Sequence, residues 1–270
     1  MTLEWKGALM NRRDFTQAAG LATLGLLAST AQSSAQTPTA EAKAPRFAML
    51  VHPGMVMLDL VGPQTVFALT MGQVHLAWKS MTPVGTDIGV NVMPTTTFAN
   101  CPRDVDVLFV PGGLGGTTAL LNDDETLAFL RDVGGRARYV TGVCTGTLLL
   151  GAAGLLKGVH ATSHWYTRDL LPVFGAIPAG GRVVEDGNVI TAGGVTAGID
   201  FGLAISARLR GETWAKITQL VLEYDPQPPF QAGNPTTAGN EITQSILKLR
   251  ATALEAARTA ATRAAARLSR

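Results

Sequence analysis

The sequence predicts one α/β domain with a central, mainly parallel sheet. Short apolar runs alternate with amphipathic ones along most of the chain, the pattern of buried strands joined by crossover helices. Two of those runs end in glycine-rich turns, Pro111-Gly112-Gly113-Leu114-Gly115-Gly116 and Gly142-Val143-Cys144-Thr145-Gly146. The composition suits a folded core: 46% of the 270 residues are hydrophobic and 16% charged, so burial rather than disorder is the default.

Taken in order, Phe47 to His52 reads as a strand, Val61 to Met71 as a helix and Val74 to Met81 as a further strand. The Val- and Thr-rich stretch Ile88 to Phe98 suggests a small ribbon at the sheet edge. Val105 to Val110 reads as a strand, Glu125 to Val133 as a helix, and Arg138 to Val143 as a strand running into a helix over Gly146 to Leu156. Trp165 to Phe174 has a helical pattern, and Arg182 to Ala192 reads as a hairpin turning at Asp186-Gly187-Asn188. Thr196 to Arg208 and Trp214 to Glu223 read as helices, and the Ala- and Arg-rich stretch from Glu241 to Arg270 as a solvated terminal helix.

The opening segment reads as an address. Arg12 and Arg13, with Phe15 two places later, precede an apolar stretch from Ala18 to Ala28 and small residues from Ser29 to Ala35. That order marks an export signal and resembles the twin-arginine kind, without the leucine and lysine that usually follow the phenylalanine. The apolar stretch is too short to span a bilayer, so no stable membrane insertion is expected. The expected organisation is an export signal over 1–35, a tether over 36–45, a catalytic domain over 46–240 and the terminal helix over 241–270, in a periplasmic protein. A net charge of +2 with both signs interspersed offers no field for a phosphate backbone, which argues against nucleic acid as a partner.

Cys144 is the sharpest chemical feature. A cysteine directly after a strand and before a helix, flanked by Gly142 and Gly146, matches the nucleophile elbow with Cys in place of Ser. The helix would set its positive end beside the sulfur and favour a thiolate. The adjacent glycines Gly112 and Gly113 would let backbone N–H groups approach a ligand and its developing negative charge. The competing reading of Cys144 is a buried, inert core cysteine, which the paired glycines and the strand-to-helix context disfavour. No two histidines have metal-ligand spacing and the two cysteines lie far apart, so neither a metal nor another cofactor is expected.

Three stretches carry a family likeness: Val107-Leu108-Phe109-Val110-Pro111-Gly112-Gly113, then Val143-Cys144-Thr145-Gly146-Thr147 with Ala152-Ala153-Gly154-Leu155-Leu156, then Ala161-Thr162-Ser163-His164-Trp165. They resemble the ThiJ/PfpI superfamily of class I glutamine amidotransferase-like proteins. Met57-Leu58-Asp59-Leu60-Val61-Gly62-Pro63 and Glu223-Tyr224-Asp225-Pro226-Gln227-Pro228-Pro229-Phe230 are similar to flanking motifs of its isonitrile hydratase subgroup. The resemblance implies a flavodoxin-like fold, a homodimer, and a small-molecule substrate, an isonitrile hydrated without metal to an N-substituted formamide. On that reading the Cys144 thiolate adds to the isonitrile carbon, Asp59 supplies the proton, and Thr145 orients the substrate nitrogen or the water. Backbone N–H groups at Gly113 and Thr145 would meet the developing charge. Asp59 also has a structural reading, as a cap for a helix beginning at Leu60.

Other residues are weighed against that picture. Thr145 stands where peptidase-like members carry histidine, which disfavours peptide hydrolysis. His164, inside a family-like motif, is a candidate for the pocket wall, against a packed role beside Trp165; His52 could line the same pocket. Cys101 reads as structural, although an oxidising compartment could join it to Cys144 and block nucleophilic chemistry. A second function, a non-enzymatic periplasmic redox or ligand sensor, needs Cys144 alone, because an exposed low-pKa thiol oxidises readily. A third, a transcription factor with a helix-turn-helix module, is disfavoured by the short, Ala-rich stretch after the family-like region.

Overall fold

The computed structural model describes residues 43–268, so the expected export signal and most of the tether lie outside the described residues. Arg46–Leu50 forms β1, Met57–Leu69 helix α1 and Gln73–Trp78 β2. Val84–Gly85 (β3) and Asn91–Val92 (β4) make an antiparallel ribbon, and Thr96–Thr97 (β5) pairs in parallel with β2. Val107–Val110 (β6), Leu114–Leu120 (α2), Asp124–Gly134 (α3), Tyr139–Val143 (β7) and Gly146–Ala152 (α4) follow. His160–Ala161 (β8) and Ile177–Pro178 (β9) pair with each other around a 3₁₀ helix, Arg168–Phe174. Val183–Asp186 (β10) and Val189–Ala192 (β11) form the expected hairpin, turning at Gly187, whose φ of 60° is open to glycine at little cost. Ala197–Arg210 (α5), Glu212–Val221 (α6) and Pro235–Leu268 (α7, broken at Gly239) complete the chain.

The main sheet has seven strands in the order β10-β11-β7-β6-β1-β2-β5, all parallel except the β10–β11 pair. Both faces are covered, which explains why strands such as Val107–Val110 are apolar and buried at every position rather than alternating. From β1 the chain steps one way to β2, and from β6 the other way to β7. Right-handed crossovers therefore send α1 and α3 to opposite faces. On one face α1 packs on α5 around Phe67, which stacks on Phe47 at 4.4 Å and meets Phe109 and Phe201 edge-on. On the other, Phe129 of α3 stacks on Phe98 at 4.2 Å, with Trp78 edge-on behind it. The reversal of direction between β1 and β6 opens a crevice at their carboxyl ends, where such sheets bind ligands.

Four sequence expectations change in detail. The helix after Cys144 stops at Ala152 because Gly154, at φ 80°, turns the chain left-handed. The helical pattern from Trp165 resolves into turns and a 3₁₀ helix, since Pro172 supplies no N–H to an α-helical ladder. The terminal helix is not solvated all round. Ala257, Ala261 and Ala264 are buried against the body, and Arg258 and Arg267 pair with Asp169 and Asp124. Small side chains every three or four residues are what close approach requires, and Ala reads as polar-neutral in a sequence. Finally, Cys101 lies just past the edge strand β5, with β2, β1 and β6 between it and the β7 elbow. At about 4.8 Å per strand that separation exceeds disulfide reach, and both thiols are free.

Candidate active site

Three strand ends meet at the crevice. Asp59 comes from the first turn of α1 beyond β1, Gly112 and Gly113 from the turn after β6, and Cys144 from the turn after β7. Asp59 does not cap a helix. The helix begins two residues earlier, at Met57, and Asp59 Oδ2 accepts the N–H of Gly112 at 2.9 Å across the crevice. Its other oxygen, Oδ1, is buried without a hydrogen-bond partner of its own, while the Cys144 thiol lies within hydrogen-bonding reach of the carboxyl. Burial pushes the Asp59 pKa up to about 7, partly offset by the Gly112 N–H and the thiol and reinforced by the charge of Asp87.

Cys144 sits on a strained turn. Its φ of 57° is left-handed, uncommon for a residue with a side chain and typical of an elbow that presents a nucleophile. The turn is held at both ends of the residue: the Cys144 N–H is shared between the carbonyls of Ala192 and Gly193 at 3.1 and 2.9 Å, and its carbonyl accepts the Ser163 hydroxyl at 2.9 Å. The sulfur faces two backbone donors, the N–H groups of Thr145 and Val195. Even so, burial and then the neighbouring Asp59 charge raise the thiol well above its ordinary pKa. The thiolate expected from the helix terminus is therefore not the resting form: α4 is a seven-residue helix, and the lost hydration outweighs its field.

The glycine loop works differently from its sequence expectation. The Gly112 N–H is committed to Asp59, and the Gly113 N–H donates to Thr145 Oγ1 at 2.9 Å. Neither amide is an open donor for a ligand. Thr145 is fully buried, and its hydroxyl also pairs with that of Thr117 at 2.9 Å, so Thr145 Oγ1 locks the two loops together while its N–H faces the sulfur. His164 lies beside this centre, its ring against Gly194 and tilted by 34° over Tyr166 at a centroid distance of 3.7 Å. Burial and nearby Arg168 and Arg250 lower its pKa to about 4, and its Nδ1 is buried and unpartnered. His52 does not line the site. It is buried beneath the loop, with Nδ1 and Nε2 3.1 and 3.3 Å from the carbonyls of Pro53 and Pro111. Among the described residues no three His, Cys, Asp or Glu side chains cluster to hold a metal ion.

Sequence reasoning missed Val195, Ser163, Thr117 and Tyr166. Val195 could have been found, because Ala192-Gly193-Gly194 is a third strand end with paired glycines. Its φ of 24° is strained for a β-branched residue, which marks it as part of the site. Tyr166 hid inside a stretch read as a packed helix. It is placed where the charges of Cys144 and Asp59 both act on it, and burial carries its pKa up to about 12.

A parallel sheet with a cysteine elbow beside a buried carboxyl at the switch point defines a flavodoxin-like α/β fold. The sequence profile of the DJ-1/PfpI family matches residues 45–208, and the chain belongs to that family. It is 49% identical over 221 residues to isonitrile hydratase of Pseudomonas putida, an alignment covering 82% of this chain and 96% of that protein. It also superposes on the crystal structure of a ThiJ/PfpI family protein from Pseudomonas syringae with a TM-score of 0.81 and 49% identity, covering 87% of this chain and 98% of the other. A more distant relative, Protein DJ-1alpha of Drosophila melanogaster, is 32% identical over 136 residues, half of this chain (50%) and 63% of that protein.

The buried carboxyl has a measurable signature. Its folded pKa of about 7 lies above the ordinary 3.8, so the folded state binds the extra proton between those values and stability falls as pH rises through them. Asp59→Asn, which keeps an oxygen for the Gly112 N–H, is expected to be more stable than the parent above pH 7 by about 1–3 kcal/mol, with the gain vanishing towards pH 4. Denaturant melts of both proteins across that range check this; a difference independent of pH would contradict it.

Proposed function

We propose that this chain is a cysteine-dependent hydratase that converts a small isonitrile to an N-substituted formamide. The observation that carries the reading is the buried Asp59–Cys144 pair, which puts a nucleophile and a proton carrier at one point, and the isonitrile hydratase relative supports the substrate class. An isonitrile must gain both at its terminal carbon. In the competent state the pair holds one proton in total. As the isonitrile binds, the thiol proton passes to the Asp59 carboxylate, Sγ bonds to the carbon, and Asp59 delivers that proton to the same carbon, leaving a thioimidate, R–N=CH–S–Cys144. Water then adds to the carbon while the nitrogen takes a proton. Collapse of the adduct breaks the C–S bond, releases R–NH–CHO and restores the thiol. The N–H groups of Thr145 and Val195 stabilise the sulfur as it gains and regains charge. Thr145 Oγ1, tied to Gly113 and Thr117, positions the turn.

A sensor function is less well supported. Peroxide-sensing cysteines are exposed and low in pKa, whereas Cys144 is buried and raised. We further propose export to the periplasm through the Arg12-Arg13 segment, with the mature chain starting near Gln32 or Gln36. Recovery of secreted protein still beginning at Met1 would refute that address. A homodimer accords with exposed apolar side chains on α6 (Ile217, Leu220, Val221) and on α7 (Ile242, Leu249). Sedimentation equilibrium is expected to give twice the chain mass, and a monomer at micromolar concentration would end that proposal.

The decisive assay follows formamide from alkyl and aryl isonitriles. Turnover is expected from the parent protein and none from Cys144→Ala, and Asp59→Asn is expected to lose about 10²–10⁴-fold. Because the ionised carboxylate takes the thiol proton, kcat/KM should rise with pH through about 7, and Asp59→Asn should lack that limb. An active parent whose profile is flat from pH 5 to 9 would remove Asp59 from the proton path, and an inactive parent would remove the hydratase reading.

A further inference from the structure

The chain between β11 and α5 holds the reactive turn by its backbone. The carbonyls of Ala192 and Gly193 take the Cys144 N–H at 3.1 and 2.9 Å, and Val195 follows at its strained φ of 24°. Two glycines and a left-handed valine do not keep such a path by their own preference, so it is fixed by what surrounds it. On the inner side the His164 ring packs so closely that a Cβ at Gly194 would stand 2.7 Å from His164 Cδ2. On the outer side stands Arg182, the residue before β10. Its carbonyl accepts the Gly193 N–H at 3.0 Å, and its guanidinium Nη2 donates to Thr196 Oγ1 at 3.1 Å. One residue thus grips the chain on both sides of Gly194 and Val195.

The guanidinium is held in turn. Its Nε donates to Asp200 Oδ2 in the first turn of α5, and Asp200 Oδ1 accepts the Tyr224 hydroxyl at 3.0 Å. Tyr224 belongs to the stretch Glu223 to Phe230, which the proposed reaction leaves without a role. The other flanking stretch, Met57 to Pro63, reaches the same turn of α5: a Cβ at Gly198 would stand 3.0 Å from Pro63 Cγ, and one at Gly62 3.3 Å from Ile199 Cγ1. Both stretches therefore bear on the start of α5, one by packing and one by hydrogen bond. As an ion pair the half-exposed Arg182–Asp200 contact adds little to stability. As geometry it counts for more, because a planar fork bonded to two acceptors, one of them fixed by a third group, has a single orientation.

We infer that Arg182 is a positioning residue for Cys144: with Asp200 and Tyr224 behind it, it fixes the Gly193 to Thr196 chain from which the Cys144 turn is hung. Where the guanidinium lets go, the Gly193 carbonyl that takes the Cys144 N–H and the Val195 N–H that faces the sulfur shift together, and the sulfur loses a donor as it becomes charged. Arg182 acts through the backbone and not on the reacting atoms. The role rests on Cys144 as the nucleophile, and not on an isonitrile as the substrate.

Arg182→Gln keeps the backbone carbonyl and removes the fork. Alkylation of Cys144 by iodoacetamide at one fixed pH, read by peptide mass, is expected to slow on the order of tenfold, the scale of one hydrogen bond to a charged atom. Thr196→Val should slow it similarly, and Thr196→Ser should keep the parent rate. Because Arg182 and Thr196 serve one contact, the double variant should be no slower than Arg182→Gln alone, whereas independent effects would multiply. Cys101, buried beyond the edge strand β5, reports folding, since its alkylation stays slow wherever the domain is intact. If Arg182→Gln exposes Cys101, the pair Thr196→Val and Thr196→Ser decides. In the hydration assay the same variants should lower kcat and leave KM within about twofold of the parent. A Cys144 rate unchanged or raised in a folded variant, losses that multiply in the double variant, or a loss confined to KM would each overturn the role. An inactive parent removes the hydratase reading and leaves the alkylation rates to decide this one.

Discussion

A carboxyl removed from water either stays protonated or finds compensation, and Asp59 is built between those limits. It is fully buried, has one strong donor in the Gly112 N–H, and keeps a second oxygen unpartnered. One hydrogen bond is too little to hold it ionised as an ordinary aspartate, and the result is a group that titrates near 7. The surrounding chain is shaped by that placement. A Cβ at Gly112 would stand 2.6 Å from the Thr145 nitrogen, 2.8 Å from Asp59 Oδ2 and 2.8 Å from Cys144 Cβ, so the loop after β6 approaches the other two strand ends only as bare backbone.

The remaining contacts hold strain in place. Left-handed backbone at Cys144 and Val195 costs of order 1–3 kcal/mol at each residue, and the Val195 N–H faces the sulfur that Cys144 carries. The N–H of Cys144 is anchored to the end of β11, its carbonyl to Ser163, and the next residue to Gly113 and Thr117. Each anchor comes from a different part of the chain. The strained turn is thus stable only once the sheet, the glycine loop and the segment after β8 are all assembled, which makes the reactive geometry a product of the whole domain and not of the Gly-Val-Cys-Thr-Gly motif.

Much of this was legible in the sequence. Apolar runs of the right length located the parallel strands, and glycines at two strand ends located the crevice, because close backbone approach leaves a compositional mark. Cys144 stands out in the sequence for the same reason, whereas Asp59 comes into view only through the family resemblance. What escaped is what composition does not record. The partner of an N–H is set in three dimensions, so the glycine amides looked like ligand donors and are instead committed to Asp59 and Thr145. The balance between a helix field and lost hydration depends on burial, so the thiol was expected low and is raised. A buried stripe of alanines resembles a solvated one, so the sequence of α7 reads as a solvated helix although Ala257, Ala261 and Ala264 are buried.

The raised thiol fits the proposed chemistry better than a lowered one. Nucleophilicity of a thiolate falls with its pKa, and a site that stabilises the anion strongly in advance makes it a weaker attacking group. An isonitrile carbon must also receive a proton, which a preformed thiolate beside an ionised Asp59 could not provide. Keeping one proton in a buried pair meets both needs: the sulfur becomes anionic when substrate arrives, and the proton it releases is already beside the carbon that takes it. The two backbone donors at the sulfur then matter most as charge develops, which is where such donors contribute to rate rather than to ground-state binding.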